Sequence, residues 1–248
     1  MTSLKDVFQL VQHNGWAVCL DLKDAYFHIP VHPRHRRFLQ FIWRGQAYHY
    51  RCLPFGLFSS PRTFTRVTKP IAHYLRSRGI HVVFYLDDVL ILARSRAMAG
   101  ISRRRTVRLL QSLGFTLNTE KSDLTLRQCF TYLGFQWDTQ DLSVSLPQEK
   151  REEIQTLAES LLARPSTTAR RLLTFGKVTF ASYAVPLARL HTRELQTALA
   201  SVYKHPGDMG KQVPLHSEAR VNLEFWQCLQ HTPRRHLPEG SGARRTML

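Results

Sequence analysis

The sequence has no run of about 18 uninterrupted apolar residues, which excludes a hydrophobic membrane-spanning helix. Its start, Met1-Thr2-Ser3-Leu4-Lys5-Asp6, has no apolar signal core, so secretion is not expected. Cysteine is scarce. The four present, Cys19, Cys52, Cys129 and Cys228, show no C-x-x-C spacing and lie mostly among apolar neighbours, which argues for reduced thiols. An intracellular compartment is expected on that ground, with nucleus and cytoplasm unresolved. Histidine is frequent, yet His28, His32 and His35 match no standard zinc pattern, and Pro30 and Pro33 break any helix that would align them. A solvated loop is expected there. Acidic residues are also few, 18 Asp and Glu against 35 Lys and Arg, for a net charge of +17. That imbalance favours a polyanionic partner, nucleic acid ahead of an anionic membrane. No internal repeat or long low-complexity segment is present.

What is there is enough for a core: 248 residues, 43% of them hydrophobic, suffice for one large domain or two moderate ones. The most telling stretch is Phe84-Tyr85-Leu86-Asp87-Asp88-Val89-Leu90-Ile91-Leu92. Two apolar, β-prone runs flank two adjacent carboxylates, so the spacing predicts two buried strands with the Asp pair at or beside their turn. Adjacent carboxylates repel and are costly to desolvate, and so call for a cation. Oxygen-only ligation suits Mg²⁺, which takes one or two carboxylates plus phosphates. Taken alone, Asp-Asp is also ordinary turn chemistry. A second apolar run, Trp16-Ala17-Val18-Cys19-Leu20, reads as a strand delivering Asp21, for which a helix cap or surface turn is the plainer alternative.

Elsewhere the pattern predicts a helix over 3–12 ended by Asn14-Gly15, and a hairpin over 38–52 turning at Arg44-Gly45. A Pro- and Gly-containing loop over 53–61 leads to a helix over 62–78, with Phe64, Val67, Ile71 and Leu75 on one face and Arg62, Arg66 and Lys69 on the other. A further helix is expected over 97–113, with Ile101, Val107, Leu110 and Leu113 apolar, then a hairpin of 130–137 with 142–145. From Pro147 onward the pattern is helical only. Four helices are expected, the second capped by Ser166 or Thr167 and the third opened by Pro186, before a basic, disordered tail from Pro233. The expected division is 1–146, 147–232 and 233–248.

An α+β layer with the two carboxylate-bearing strands side by side would bring Asp21, Asp87 and Asp88 together. Three such carboxylates can hold two Mg²⁺ about 3.5–4 Å apart, one activating an attacking hydroxyl and one steadying the leaving oxygen of a phosphoryl displacement. A two-metal nuclease is the rival chemistry for the same trio.

At these residues the sequence resembles the reverse transcriptases. Asp21-Leu22-Lys23-Asp24-Ala25-Tyr26 looks like the family's first metal motif, and Leu53-Pro54-Phe55-Gly56 through Ser60-Pro61 like its nucleotide- and template-facing loop and helix. Tyr85-Leu86-Asp87-Asp88 resembles the signature hairpin, Leu113-Gly114-Phe115 to Lys121 the next segment, and Tyr132-Leu133-Gly134-Phe135 the primer grip. In the helical part, Leu146-Pro147 and Ala188-Arg189-Leu190-His191 are similar to the corresponding region of DIRS-like, tyrosine-recombinase retroelements. The resemblance implies an α+β polymerase palm, a mixed or antiparallel sheet packed on helices, followed by an all-helical thumb or connection region.

It further implies that Asp21 and Asp87 foremost, with Asp88, bind two Mg²⁺, for which Mn²⁺ can substitute. Tyr26 would stack under the incoming sugar and exclude a 2′-hydroxyl, Phe55 would make an apolar contact where retroviral members commonly carry Gln, and Gly56 would let the backbone approach the nucleotide. Lys121 would protonate or neutralise departing pyrophosphate. Tyr132, Leu133 and Gly134 would hold the primer end, and Arg62 and Arg66 the primer–template backbone. The implied partners are an RNA template, a DNA primer, their RNA–DNA duplex and deoxynucleoside triphosphates, with no membrane. Only 20 residues precede Asp21, so the fingers are expected to be partial, and no complete ribonuclease H or recombinase module is expected. The implied activity is RNA-directed DNA synthesis, with an inactive nucleic-acid-binding remnant as the alternative.

Overall fold

The computed structural model describes residues 4–229 and 234–237. They form two units, one of residues 4–133 with 138–142, the other of 134–137 with 143–229 and 234–237.

The first unit runs through α1 (Leu4–Leu10), β1 (Trp16–Asp21), α2 (Pro33–Arg36), β2 (Gln40–Trp43), β3 (Gln46–His49), α3 (Ser60–Ser77), β4 (His81–Tyr85), β5 (Asp88–Ala93), α4 (Arg96–Ser112), β6 (Asp123–Arg127) and β7 (Cys129–Tyr132). Four of its strands make an antiparallel sheet in the order β4-β5-β1-β6. The period-2 geometry of strands sends Val18, Leu20 and Leu22, Val82 and Phe84, and Val89 and Ile91 to one face. There they pack with Phe64, Ile71 and Leu75 of α3 and Leu110 of α4. Each such side chain, fully buried, contributes about 1.5–3 kcal/mol, so this layer fixes the sheet that carries the acids. The fold is therefore α+β, as expected.

Several local expectations change. In α3 the buried set is Ser60, Phe64, Thr68, Ile71, Ala72 and Leu75, while Val67 is exposed. Thr68 fits inside because its hydroxyl donates to the Phe64 carbonyl at 3.2 Å, which removes the cost of burying it. In α4, Ala99, Ser102 and Thr106 join Leu110 on the inner side and Leu113 is exposed. Ser95 caps this helix by accepting the Met98 N–H. The run over 130–137 is two strands, β7 and β8 (Phe135–Asp138), broken where Leu133 and Gly134 both take positive φ, +50° and +78°. That conformation is the tight-turn geometry that favours glycine. β6 was not foreseen, because Asp123-Leu124-Thr125-Leu126-Arg127 has no apolar run and pairs with β1 across an irregular register.

The second unit continues with β9 (Ser143–Ser145), α5 (Gln148–Leu162), β10 (Ser166–Thr168), α6 (Ala169–Gly176), a 3-10 stretch (Lys177–Tyr183), α7 (Leu190–Val202), β11 (Gln212–Pro214), α8 (Ser217–Gln227) and β12 (Arg235–His236). Leu172, Phe175, Leu195, Leu223 and Trp226 form its core. It is mainly helical, but Ser166 and Thr167 belong to a strand paired with β11, so the cap of α6 is Thr168. The helix expected from Pro186 begins at Leu190. Residues 134–137 and 143 onward group with these helices while 138–142 return to the first unit, so the two units interleave between residues 134 and 142. Arg235 and His236 pair with Val144 and Ser143, so the expected disorder does not hold over 234–237. The rest of the tail lies outside the described residues. Among the described residues no helix is long and apolar enough to cross a membrane.

Candidate active site

Strands β4 and β5 pair Phe84 with Val89 and Tyr85 with Asp88, leaving Leu86 and Asp87 as a two-residue turn. Leu86 has φ +54°, a left-handed conformation that costs a branched side chain on the order of 1 kcal/mol. The ladder on either side imposes it. On the other flank of β5, Asp21 closes β1 directly opposite Asp88, and the next residue, Leu22, donates its N–H to the Asp87 carbonyl at 2.9 Å. The expected convergence of Asp21, Asp87 and Asp88 at one end of the sheet is thus built from two adjacent strand ends.

Their electrostatics are those of a crowded anionic site. Burial and then the Asp87 charge raise the Asp21 carboxyl, while the Asn118 side chain, by hydrogen bonding, and Lys121, by its charge, pull it down. Asp88 is pushed up to about 6 by burial, then by Asp87 and Asp21, with Lys121 opposing. Lys121 is exposed in the loop 118–122 and close enough to act on both acids. Among the described residues no three His, Cys, Asp or Glu side chains stand ready to hold an ion together. Two carboxylates drawn from this cluster, completed by phosphate oxygens and water, match what Mg²⁺ takes.

Of the other expected residues, Tyr26 is buried in a 3-10 turn, and its ring lies against Phe55 (centroids 4.8 Å apart) and Phe64 (5.6 Å). Its hydroxyl is close enough to feel the charge of Asp87. Phe55 is 57% exposed beside it. Gly56 has φ +82° with open space around its Cα, so glycine is required there by conformation rather than by a close neighbour. Arg62 and Arg66 lie on the exposed side of α3. Tyr132 is buried, and its hydroxyl donates to the Asp88 carbonyl at 3.4 Å. At the turn that follows, Leu133 is half-buried and Gly134 exposed.

Sequence reasoning gave no site role to Asn118, Ser122, Cys19 or His28. Asn118 and Ser122 bond to the Asp21 peptide. Cys19 donates its thiol to the Thr131 carbonyl at 3.5 Å and is pushed up to about 12 by burial, then by Asp123 and Asp88, so it stays protonated. His28 is not a free loop residue. Its Nε2 accepts the Thr116 N–H at 3.1 Å and ties the Tyr26 turn to the segment leading to Lys121. His32 caps α2 by accepting the Arg34 N–H.

Residues 1–137 match the family model described as "Reverse transcriptase (RNA-dependent DNA polymerase)". The chain belongs to the reverse transcriptase family. It is 27% identical over 202 residues to the Gag-Pol polyprotein of Walleye dermal sarcoma virus, an alignment covering 79% of this chain and 11% of that protein. It is 33% identical over 129 residues to the Gag-Pol polyprotein of Koala retrovirus, covering 48% and 8%. This reverse transcriptase chain therefore spans about a tenth of the length of those polyproteins. Its fold is similar to that of the foamy viral protease-reverse transcriptase solved with double-stranded DNA, at a TM-score of 0.77 and 20% identity over 95% of this chain and 38% of that one. The same viral protein solved with an RNA/DNA hybrid gives 0.76 at 21% identity, over 96% and 30%.

Proposed function

We propose that the chain extends a DNA primer on an RNA template, joining a deoxynucleotide to the primer 3′-hydroxyl. The observation that carries this is the opposition of Asp21 and Asp88 across β1 and β5 with Asp87 in the adjoining turn, in a chain of reverse transcriptase type. Asp21 and Asp87, with Asp88, would hold two Mg²⁺ or substituting Mn²⁺. When bound, these ions supply activation of the attacking hydroxyl and stabilisation of the leaving oxygen. The residues around them do the rest. Lys121 faces the departing pyrophosphate as proton donor or counter-charge, and the edge of Tyr26 meets C2′ of the sugar, leaving no room for a hydroxyl. Phe55 packs against the nucleotide, Gly56 turns the loop beneath it, Leu133 and Gly134 steady the primer end, and Arg62 and Arg66 neutralise backbone phosphates. Orientation and charge are the whole of what such a reaction asks of a protein.

The foamy viral neighbours were solved with duplex DNA and with an RNA/DNA hybrid, and the same ligand class is proposed here. The finer assignment to DIRS-like elements rests on Leu146-Pro147 and Ala188-Arg189-Leu190-His191. The test is extension of a labelled DNA primer on an RNA template with Mg²⁺ and deoxynucleotides. Asp87→Asn should stop it. Extension that survives this change removes the assigned site, and salt-sensitive duplex binding with no extension by the unaltered chain reduces the protein to a binding remnant.

A further inference from the structure

The outer flank of Asp21 is held by a loop where a strand partner would be expected. β6 begins only at Asp123, opposite Cys19, so at Asp21 the edge of β1 meets residues 118–122 instead. The Asp21 N–H donates to Ser122 Oγ at 2.9 Å, and the Asp21 carbonyl accepts the Asn118 N–H at 2.8 Å. The same hydroxyl lies 3.4 Å from the Asp21 carbonyl. The carbonyl is thus bonded by backbone, and Ser122 is the side chain that stands in for a ladder acceptor at the Asp21 N–H. A backbone N–H that loses such a partner turns towards water, and the side chain on that peptide moves with it.

The loop is itself folded around Asn118. Its Oδ1 accepts the N–H groups of Glu120 (3.2 Å) and Lys121 (3.3 Å), and its carbonyl accepts the Ser122 N–H at 2.9 Å. The five residues thus form one turn with two outputs: at one end Ser122 grips Asp21, and beside it Lys121 is presented to the acids. On the opposite flank Leu22 is tied to Asp87, while on the outer flank Lys23 N–H donates to the Thr116 carbonyl at 2.9 Å in a bridge between Leu22 and Leu117. The segment after β1 is fastened on both sides, and its outer fastening at Asp21 N–H is a single hydroxyl.

We infer that Ser122 is a positioning residue for nucleotidyl transfer, its hydroxyl holding the Asp21 peptide so that this carboxylate and Lys121 keep a fixed mutual geometry. The inference rests on the polymerase reading and deepens it, since it names a group that touches neither substrate nor ion. Displacement of a reacting group by about 1 Å can cost on the order of a hundredfold in rate.

The experiment compares Ser122→Ala, which cannot accept, with Ser122→Thr, which keeps the hydroxyl, and with Thr119→Ala as an exposed control in the same loop. Each is read for single-turnover extension, primer–template affinity and amide hydrogen exchange at Asp21 without metal. Ser122→Ala should slow extension by about tenfold or more at unchanged primer–template affinity and should speed exchange at the Asp21 N–H. Ser122→Thr should restore both, and Thr119→Ala should change neither. Unchanged exchange in Ser122→Ala, or faster exchange with an undiminished extension rate, overturns the inference. If the unaltered chain does not extend a primer, it is the polymerase reading that has failed, and with it the positioning role, whatever the exchange data say of the hydrogen bond.

Discussion

Asp21 and Asp88 are direct cross-strand partners on β1 and β5, in a register that the Leu22 to Asp87 hydrogen bond holds in place. Folding brings these like charges together and partly buries them, so the folded chain holds a proton on Asp88 more tightly than the unfolded one does. The Asp88 carboxyl moves from its usual 3.8 to about 6. Between those values the native state binds more protons, so stability falls as pH rises from about 4 to about 6 and is flat above. Allowing for solvent screening of a half-exposed group, the loss is on the order of 1 kcal/mol. Asp88→Asn should therefore stabilise the metal-free protein at pH 7 by that order, with the gain fading as the pH approaches 4. Mg²⁺ should recover the loss in the unaltered chain and much less in the variant. Chemical denaturation across pH, with and without Mg²⁺, checks both; a variant whose advantage grows towards acid contradicts the sign.

The acids were legible because each ends or begins a run that only a buried strand explains: Asp21 after Trp16-Ala17-Val18-Cys19-Leu20, Asp87 and Asp88 between two such runs. Hydrophobic pattern reports burial, and burial on both sides of a polar pair is hard to produce by accident. What it does not report is pairing. β6 carries charge at both ends and alternates weakly, so nothing in its residues announces that it covers β1, and the consequence, that Ser122 must serve the Asp21 N–H, stayed hidden with it. The helix faces erred for a related reason. Thr68 is polar by type, but a threonine that returns its hydroxyl to its own helix can face inward, and in α3 this rotates the buried stripe away from Val67.

Tyr26 lies edge-on to Phe64 and tilted at 47° against Phe55, contacts that fix the position its ring takes. Tyr26→Ala should lower the preference for deoxyribonucleotides over ribonucleotides by at least tenfold, or about 1.4 kcal/mol. Tyr26→Phe, with the same flat edge, should keep it. The quantity to compare is the ratio of incorporation rates, because removing a buried ring also costs about 3 kcal/mol of stability. An unchanged ratio in Tyr26→Ala rejects the gate.

The turn at Leu86 is strained in a way that depends on branching. At φ +54° a β-branched side chain is worse placed than leucine, while glycine is at ease. Leu86→Ile conserves volume and should still lose about 1–2 kcal/mol. Leu86→Gly should lose less, because relief of strain offsets the entropy of a freer unfolded chain. Urea midpoints for the pair decide it: isoleucine the more stable of the two would mean that packing, rather than φ, governs this position.

Arg62 and Arg66 sit one helical turn apart on the exposed side of α3, near its start. Residues four apart on a helix share a face, so both can reach one phosphate backbone. A phosphate contact carries no base information. Replacing both by Ala should therefore weaken binding to RNA–DNA duplexes of any sequence about equally and should lower the slope of log affinity against log salt by roughly 2, about 0.9 for each phosphate no longer neutralised. Fluorescence anisotropy at several salt concentrations gives the slope directly. Loss of affinity with an unaltered slope would mean that these side chains do not meet phosphates, and the duplex would then have to run along another face of this unit.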